Sequence, residues 1–212
     1  LADSDSEFDS SPSLTADGLD LFYIAIRPNG LGHMDVWTAH RDSPDQAFGA
    51  PANLGPAVNT AVMELSSCIS ADGLRLVLSS QGNFGGTDIF EATRKSLSEP
   101  FGDLVSLGAT INSRESESGN WLSPDQRTLV FRSNRDAANQ RTHLYITTRT
   151  SVDEPFHPPV RLSAPFNDGE WNGGFTASAD WLVVVFASRR PGGVGGEDLW
   201  ITRRLPKSPA AN

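Results

Sequence analysis

The sequence predicts an all-β protein, a β-propeller of four antiparallel repeat blades, and three observations support this. A Ser/Thr-x-Asp segment before an apolar strand recurs at intervals of 55, 53 and 55 residues, anchored on Asp17, Asp72, Asp125 and Asp180. Two further landmarks keep the same register. The composition, with 19 Gly and 14 Pro and no stretch of helical period, favours short strands joined by turns. Repeats of this length, each packed only on its neighbours, are typical of propeller blades.

The two further landmarks give the limits of the repeat. One is a triplet with a central apolar residue and a terminal aromatic residue, at 35–37, 88–90, 143–145 and 198–200. The other is an asparagine that lies 13 residues before the next anchoring aspartate, at Asn59, Asn112 and Asn167. The chain is therefore expected to form one propeller domain over 1–212, with repeats at approximately 7–59, 60–112, 113–167 and 168–205 and a tail at 206–212.

Each repeat is expected to contain three strands and a weaker fourth. The first strand leads into the anchoring aspartate, and Asp-Gly predicts a type I′ hairpin turn because glycine accepts a positive φ. The second strands are expected at Leu21–Ala25, Leu76–Ser79, Leu129–Phe131 and Val183–Ala187. The third strands are expected at Val36–Ala39, Ile89–Ala92, Leu144–Thr147 and Leu199–Thr202. The fourth strands are centred on Leu54, Leu107 and Leu162.

The last repeat has no candidate for this fourth strand. Leu54, Leu107 and Leu162 each lie 18 residues before the next anchoring aspartate, and the sequence ends at Asn212 before a fourth equivalent occurs. We therefore expect a blade that lacks its outer strand, or a boundary within a longer protein. Closure of four blades alone, membership of a five- or six-bladed ring and completion by oligomerisation all agree with the sequence, which does not determine the oligomeric state.

Composition excludes some classes of function. The formal charge of −9, from 26 acidic and 17 basic residues, disfavours nucleic acid as a partner because phosphate binding requires clustered Lys and Arg. No apolar run is long enough for a transmembrane segment. Cys68 is the single cysteine, so no intramolecular disulfide is expected, and the four histidines lack zinc-ligand spacing. No cofactor is expected. The chain begins with Leu, which suggests an excised domain or a processed product.

The repeat resembles that of the TolB-type β-propeller family. The resemblance rests on the Leu-Ser/Thr-x-Asp-Gly segment, the strand ending in Ser-x-Arg, the Gly-rich loop, Asp-Leu-Trp, and Asn-Leu-Gly followed by Asn-Thr. Three positions depart from it, because Gln126 and Trp181 replace the turn glycine and His143 replaces the strand aspartate. These departures are expected to loosen the third and fourth turns. The resemblance implies a propeller, typically periplasmic or extracellular and bacterial, that usually binds proteins or glycans and only sometimes catalyses.

An acidic set leads into the first strands. Asp9, Glu64, Glu117 and Asn172 occupy one repeat position, and two residues earlier lie Glu7, Val62, Glu115 and Glu170. Side chains two residues apart share one side of a strand, and the first strand of a propeller blade lines the central channel. We therefore expect an acidic ring at one mouth of this channel. Two tryptophans, Trp121 and Trp171, replace smaller residues near this mouth.

Several interpretations of the acidic mouth remain open. It could hold a hard cation such as Ca²⁺ or attract a basic partner. Alternatively, the carboxylates are structural and cap loop amides or pair with Arg27, Arg135 and Arg190. The tryptophans either stack on a carbohydrate, form a protein hot spot or fill space between blades.

These observations predict a non-catalytic binding or scaffolding propeller that recognises a protein, peptide or glycan at the acidic mouth. The tentative ligand-binding residues are Asp9, Glu64, Glu117, Glu170, Trp121 and Trp171. The alternative is a glycoside hydrolase or lyase that uses a carboxylate pair. No residue is assigned as catalytic, because a catalytic centre should break the repeat symmetry that these carboxylates mostly obey.

Overall fold

The structure is a computed structural model that describes residues 6–136 and 141–203. Within these ranges the protein is all-β, with four antiparallel sheets arranged as the blades of a propeller and no helix. Blade 1 contains β1 (Phe8–Leu14), β2 (Asp20–Ile26), β3 (Asp35–His40) and β4 (Ala52–Asn53), and blade 2 contains β5 (Glu64–Ile69), β6 (Arg75–Gln81), β7 (Thr87–Thr93) and β8 (Val105–Ser106). Blade 3 contains β9 (Glu117–Leu122), β10 (Thr128–Ser133), β11 (His143–Thr148) and β12 (Val160–Arg161), and blade 4 contains β13 (Asn172–Ala177), β14 (Val183–Ser188) and β15 (Asp198–Arg203).

The anchoring aspartate closes the first hairpin of every blade. In blade 1, Thr15 Oγ1 donates to Asp17 Oδ1 at 2.6 Å, and the same carboxylate oxygen accepts from the Leu19 N–H. The same contacts occur at Ser70, Ser123 and Ser178. The Gly18 N–H donates to the Thr15 carbonyl, and Gly18 has a φ of 71° whereas Asp17 does not have a positive φ. The prediction of a type I′ turn is therefore wrong, because that turn needs a positive φ at both central residues.

The third and fourth turns keep this geometry without glycine. Gln126 and Trp181 have φ values of 58° and 59°, close to those of the glycines they replace. A left-handed backbone costs a non-glycine residue roughly 1–2 kcal/mol, so the surrounding hydrogen bonds impose this conformation on both residues. The expected loosening of the two turns is not observed.

Alternating apolar residues join each blade to the next. We call the side of a blade that faces the preceding blade its leading face, and the opposite side its trailing face. Phe22 and Ile24 on the trailing face of blade 1 pack on Leu76 and Leu78 of blade 2. Equivalent clusters join blade 2 to blade 3 and blade 3 to blade 4. The core of the protein therefore consists of layers between neighbouring blades, as the repeat predicts.

The repeated asparagine fixes the outer edge of the third strand. Asn59 accepts from the Val36 N–H at 2.8 Å and donates to the Val36 carbonyl at 3.0 Å. Asn112 and Asn167 make the same pair of bonds to Ile89 and Leu144. The asparagine side chain thus binds both the N–H and the carbonyl of one third-strand residue. These two groups face outward at the point where the short outer strand ends.

Blade 4 has three strands among the described residues, which agrees with both expectations, a blade without its outer strand and a boundary within a longer protein. On its trailing face Leu199 is 77% exposed and Ile201 is 57% exposed. No extensive strand-to-strand contact joins blade 4 to blade 1 within the described ranges. The expected tail at 206–212 and the end of the fourth repeat lie outside the described residues. The described ranges also contain no helix long and apolar enough to cross a membrane.

The turn motif predicts how stability changes with pH. The hydrogen bond from Ser123 lowers the pKa of Asp125, so folding favours the ionised carboxylate. A carboxyl with a lowered folded pKa stabilises the fold above its unfolded pKa of about 3.9, and this contribution is lost as the pH falls through the folded pKa. We therefore expect Asp125→Asn to be less stable than the wild type near neutral pH and to approach it in acid. Urea unfolding across this pH range tests the prediction, and a gap that is independent of pH would contradict it.

Candidate functional site

The innermost strands of all four blades line one central cavity of about 470 Å³. The first strand is at the inner edge of each sheet, and its later residues face the cavity. One repeat position contributes Pro12, Ser67, Asn120 and Phe175, and the next contributes Ser13, Cys68, Trp121 and Thr176. These positions have different side chains in each blade. The cavity is therefore the place where four similar blades form an asymmetric surface.

Two buried polar atoms in the cavity lining lack an intramolecular partner within the described part of the chain, Ser67 Oγ and Asn120 Oδ1. The Asn120 amide nitrogen is held by Ser66 and Ser79, at 3.3 and 2.9 Å from their hydroxyl oxygens. The Asn120 side chain is therefore fixed, and its buried carbonyl oxygen has no hydrogen-bond partner among the described residues. Because buried polar atoms are nearly always hydrogen-bonded, these two atoms mark a point where a ligand or solvent would bind.

The cavity lining is poor in acid–base groups. Its described residues contain no carboxylate, histidine, lysine or arginine, and Cys68 is the one titratable side chain among them. Burial raises the pKa of the Cys68 thiol, which keeps it protonated and unreactive. The lining thus provides hydrogen bonds and apolar contact and lacks the groups needed for proton transfer.

Trp121, one of the tentative ligand-binding residues, lies in this lining. Its ring packs edge-on against Phe175, at 5.4 Å between centroids, and against Trp181, at 4.9 Å. This aromatic cluster belongs to the core between blades 3 and 4. Trp121 therefore fills space between the two blades and also forms part of the cavity surface.

The acidic positions lie at the opposite end of the inner strands from this cavity. Glu64 and Glu117 begin β5 and β9, and both are fully buried. Glu64 Oε1 accepts from the Thr60 N–H and hydroxyl and from the Ser80 hydroxyl, and Glu117 accepts from Ser113 and Ser133 in the same way. These bonds tie the connection between blades to the second strand. They favour the structural role for the two carboxylates.

The other members of this repeat position differ in exposure. Asn172 is fully buried and accepts from the Ser188 hydroxyl at 2.8 Å. The side chain of Asp9 is 43% exposed, with its carboxylate 3.6 Å from the Arg27 guanidinium. Among the tentative ligand-binding carboxylates, Asp9 therefore reaches solvent where Glu64 and Glu117 do not.

Glu64 lacks the arginine that accompanies Glu117. The Arg135 guanidinium lies 3.1 Å from Glu117 Oε1, and Gly82 occupies the equivalent position in blade 2. Within the described ranges Glu64 Oε2 has no hydrogen-bond partner, and burial raises the pKa of Glu64 despite the hydrogen bonds that oppose this. Glu64 is therefore a buried carboxyl at which the repeat symmetry is broken.

Glu170 and Trp171 lie on the connection into β13. The side chain of Glu170 is 78% exposed, with its carboxylate 3.3 Å from the Arg141 guanidinium. The Trp171 ring is close to two arginines, with the guanidinium carbons of Arg132 and Arg189 at 5.4 and 5.8 Å from its centroid. The ring thus already contacts cations of its own chain. Across 6–136 and 141–203, no three acidic, histidine or cysteine side chains come together as a metal site would require.

Sequence reasoning missed Ser67 and Asn120. Both occupy the repeat position whose other members are Pro12 and Phe175. The sequence signal that could have identified them is the presence of two polar residues at a position of the inner strand. The sequence could not show that their polar atoms lack partners, because this depends on which neighbouring groups are already bonded.

Comparison with known proteins identifies the fold. No family model and no curated protein matches the sequence. TolB from Acinetobacter baumannii matches 96% of this chain with a TM-score of 0.64 and 16% identity, and putative TolB from Agrobacterium tumefaciens matches 93% with a TM-score of 0.60 and 20% identity. A thermostable family-43 glycoside hydrolase matches 94%, with a TM-score of 0.59 and 15% identity.

The chain spans 42%, 58% and 72% of these three structures, respectively. Its fold is that of the TolB-type β-propeller, as the repeat predicts. Since a glycoside hydrolase shares this fold, the likeness concerns architecture and leaves the activity open.

The difference between Glu64 and Glu117 can be tested with matched substitutions. Glu117→Gln removes the charge that pairs with the mostly buried Arg135 and should lower the free energy of unfolding by about 2–3 kcal/mol. Glu64→Gln retains an oxygen for Thr60 and Ser80 and removes a buried charge that has no arginine, so its effect should stay below about 1 kcal/mol near neutral pH.

The pH dependence gives an independent check of this pair. A carboxyl with a raised folded pKa stabilises the fold most below its unfolded pKa of about 4.3, and this contribution is lost as the pH rises through the folded pKa. Wild type should therefore lose stability relative to Glu64→Gln between acid and neutral pH. If urea unfolding near neutral pH shows that Glu64→Gln and Glu117→Gln lower the free energy of unfolding equally, the proposed difference between the two carboxylates is wrong.

Proposed function

We propose that this protein is a non-catalytic binding or scaffolding propeller that holds a protein, peptide or glycan in its central channel. The observation that supports this most directly is the cavity lining, where Ser67 Oγ and Asn120 Oδ1 are buried without a partner among the described residues. A ligand that donates one hydrogen bond to Asn120 Oδ1 and forms a second one with Ser67 Oγ would give both atoms the partner that they lack among the described residues. Leu14 and Trp121 supply apolar surface for the remainder of such a ligand.

The hydrolase alternative has weaker support. A carboxylate pair acting on a glycosidic bond must flank that bond and reach the substrate. Glu64 is distinguished by its raised pKa, but Glu64 and Glu117 are both fully buried and already accept several hydrogen bonds. The exposed carboxylates Asp9 and Glu170 lie near arginines of their own chain. Binding at the cavity is therefore favoured over acid–base catalysis.

Exposed carboxylates have a supporting role in this proposal. Asp9 and Glu170 remain available to solvent, and the chain has a formal charge of −9. Such a surface attracts a basic protein or peptide towards the propeller before contact, with an effect that weakens as salt increases. We further propose a periplasmic or extracellular location, on the basis of the resemblance to the TolB-type repeat.

The proposal can be tested at two adjacent serines. Selection from a random peptide library and a purified oligosaccharide panel, followed by tryptophan-fluorescence titration, should yield a ligand of the wild-type chain. Ser67→Ala should lower the affinity for this ligand by roughly 5–10-fold, which corresponds to the loss of one hydrogen bond. Its thermal stability should be unchanged, because Ser67 Oγ has no partner in the described chain.

Ser66→Ala is the matched control for this experiment. The Ser66 hydroxyl contacts Ser79, the Gly119 N–H and Asn120, so its loss should lower stability by about 1–2 kcal/mol. Ligands that bind Ser67→Ala as tightly as wild type would contradict the assignment to the channel. Release of reducing ends from the oligosaccharide panel by the wild-type chain would favour the hydrolase instead.

A further inference from the structure

Blade 4 differs from the other blades at its outer edge. In blades 1 to 3 the third strand pairs with a short outer strand, and the leucine after that strand donates its N–H to Val36, Ile89 or Leu144. The equivalent residue in β15 is Leu199. Within the described residues no strand pairs with the outer side of β15, and no asparagine binds the Leu199 backbone. We call the outward backbone of Leu199 to Ile201 the open edge.

A second cavity lies beside this edge. It measures about 410 Å³ and lies between blades 3 and 4, continuous with the apolar layer that joins them. Its lining is predominantly apolar and includes Leu162, Phe166, Val184 and Thr202, with Arg203 at the rim. We call this cavity the phenylalanine slot, because a phenylalanine fills the equivalent place in the other two blade interfaces.

The equivalent places in the other interfaces are filled by phenylalanine. Phe101, which precedes the outer strand of blade 2, is 6% exposed and packs on Phe22 of blade 1 at 6.1 Å between ring centroids. Around it are Leu54, Val58, Leu76 and Ala92, which are the repeat equivalents of Leu162, Phe166, Val184 and Thr202 in the slot. Phe156 fills the interface between blades 2 and 3 in the same way.

The outer segments share one spacing. A phenylalanine lies six residues before the leucine of the outer strand in each of the pairs Phe48 and Leu54, Phe101 and Leu107, and Phe156 and Leu162. In blade 2, Phe101 packs on the leading face and Leu107 on the trailing face, so the segment wraps round the edge of the sheet.

We propose that the open edge and the phenylalanine slot form a binding site for an extended peptide segment with the pattern Phe-x5-Leu, which the described residues do not supply. The phenylalanine fills the slot on the leading face of blade 4, and the leucine covers the exposed Leu199 and Ile201 on its trailing face. The backbone between these anchors pairs with β15, as it does in β-strand addition to an open sheet edge.

Charge supports the same choice of partner. Two of the three internal segments carry glutamate two residues before phenylalanine, at Glu99 and Glu154, and the rim of the slot carries Arg203. An acidic residue before the phenylalanine of the partner would therefore face a basic rim. This site lies at the outer edge of blade 4 and is separate from the central channel, so the two proposals can fail independently.

The experiment uses a synthetic peptide with the sequence of residues 98–108, acetylated and amidated at its ends, and the full 212-residue chain. Binding is measured by fluorescence anisotropy of the labelled peptide. We expect saturable binding that weakens at least about tenfold when the peptide carries Phe101→Ala, and severalfold when it carries Leu107→Ala, because each loses one buried apolar anchor. These peptide changes leave the protein fold untouched.

Two protein variants locate the site. Thr202→Trp places a large side chain in the slot, and Ile201→Pro removes an outward N–H from the open edge, where proline is tolerated. Each substitution should lower the affinity for the wild-type peptide at least about tenfold. Ile201→Thr, which keeps the N–H, should retain most of the affinity. Thermal melting verifies that each variant is folded.

Three outcomes would overturn the proposal. They are absence of binding to the folded chain at millimolar peptide, equal binding of the wild-type and Phe101→Ala peptides, and binding that neither Thr202→Trp nor Ile201→Pro weakens. A concentration-dependent dimer that Ile201→Pro abolishes, seen by sedimentation, would identify a second copy of the chain as the occupant and would equally overturn it.

Discussion

The asparagine that binds the third strand is the interaction on which the order of the blades depends. Asn59, Asn112 and Asn167 each accept from the N–H and donate to the carbonyl of one strand residue. The carbonyl also accepts from the leucine N–H after the outer strand, so the asparagine is the side-chain partner of the N–H. Leaving this N–H unpaired would cost about 1–3 kcal/mol. Since the asparagine belongs to the connection that leads to the next blade, the bond also fixes where that blade begins.

The buried carboxylates extend this arrangement to the inner strand. Thr60 and Ser113 directly follow an asparagine, and their N–H and hydroxyl groups bind Glu64 and Glu117 at the start of the next blade. The asparagine, the hydroxyl residue that follows it in the chain and the glutamate that this residue binds thus connect the outer edge of one blade to the inner strand of the next. This explains why acidic residues recur in the sequence without forming a metal site among the described residues.

The sequence was sufficient for the architecture because each landmark corresponds to a local interaction. The anchoring aspartates close turns, the asparagines bind third strands, and the fourth repeat has three strands among the described residues. The candidate site was less predictable, because the burial of Glu64 depends on groups that are distant in sequence. The absence of an arginine at Gly82 was visible in the alignment of repeats, but its effect on Glu64 required the three-dimensional contacts. The free atoms of Ser67 and Asn120 had no sequence signature beyond their polarity.

The surfaces that distinguish this molecule are formed by positions at which the repeat is interrupted. In the channel, one repeat position contains Pro12, Ser67, Asn120 and Phe175, so four similar strands enclose a cavity without rotational symmetry. At the edge of blade 4, β15 lacks the outer strand and the asparagine contact within the described residues, although its apolar residues follow the same alternation. An edge strand with exposed apolar residues favours pairing with another strand. The repeat therefore provides stability through its regular contacts and selectivity where these contacts are interrupted, because an unpaired group gains most from a partner.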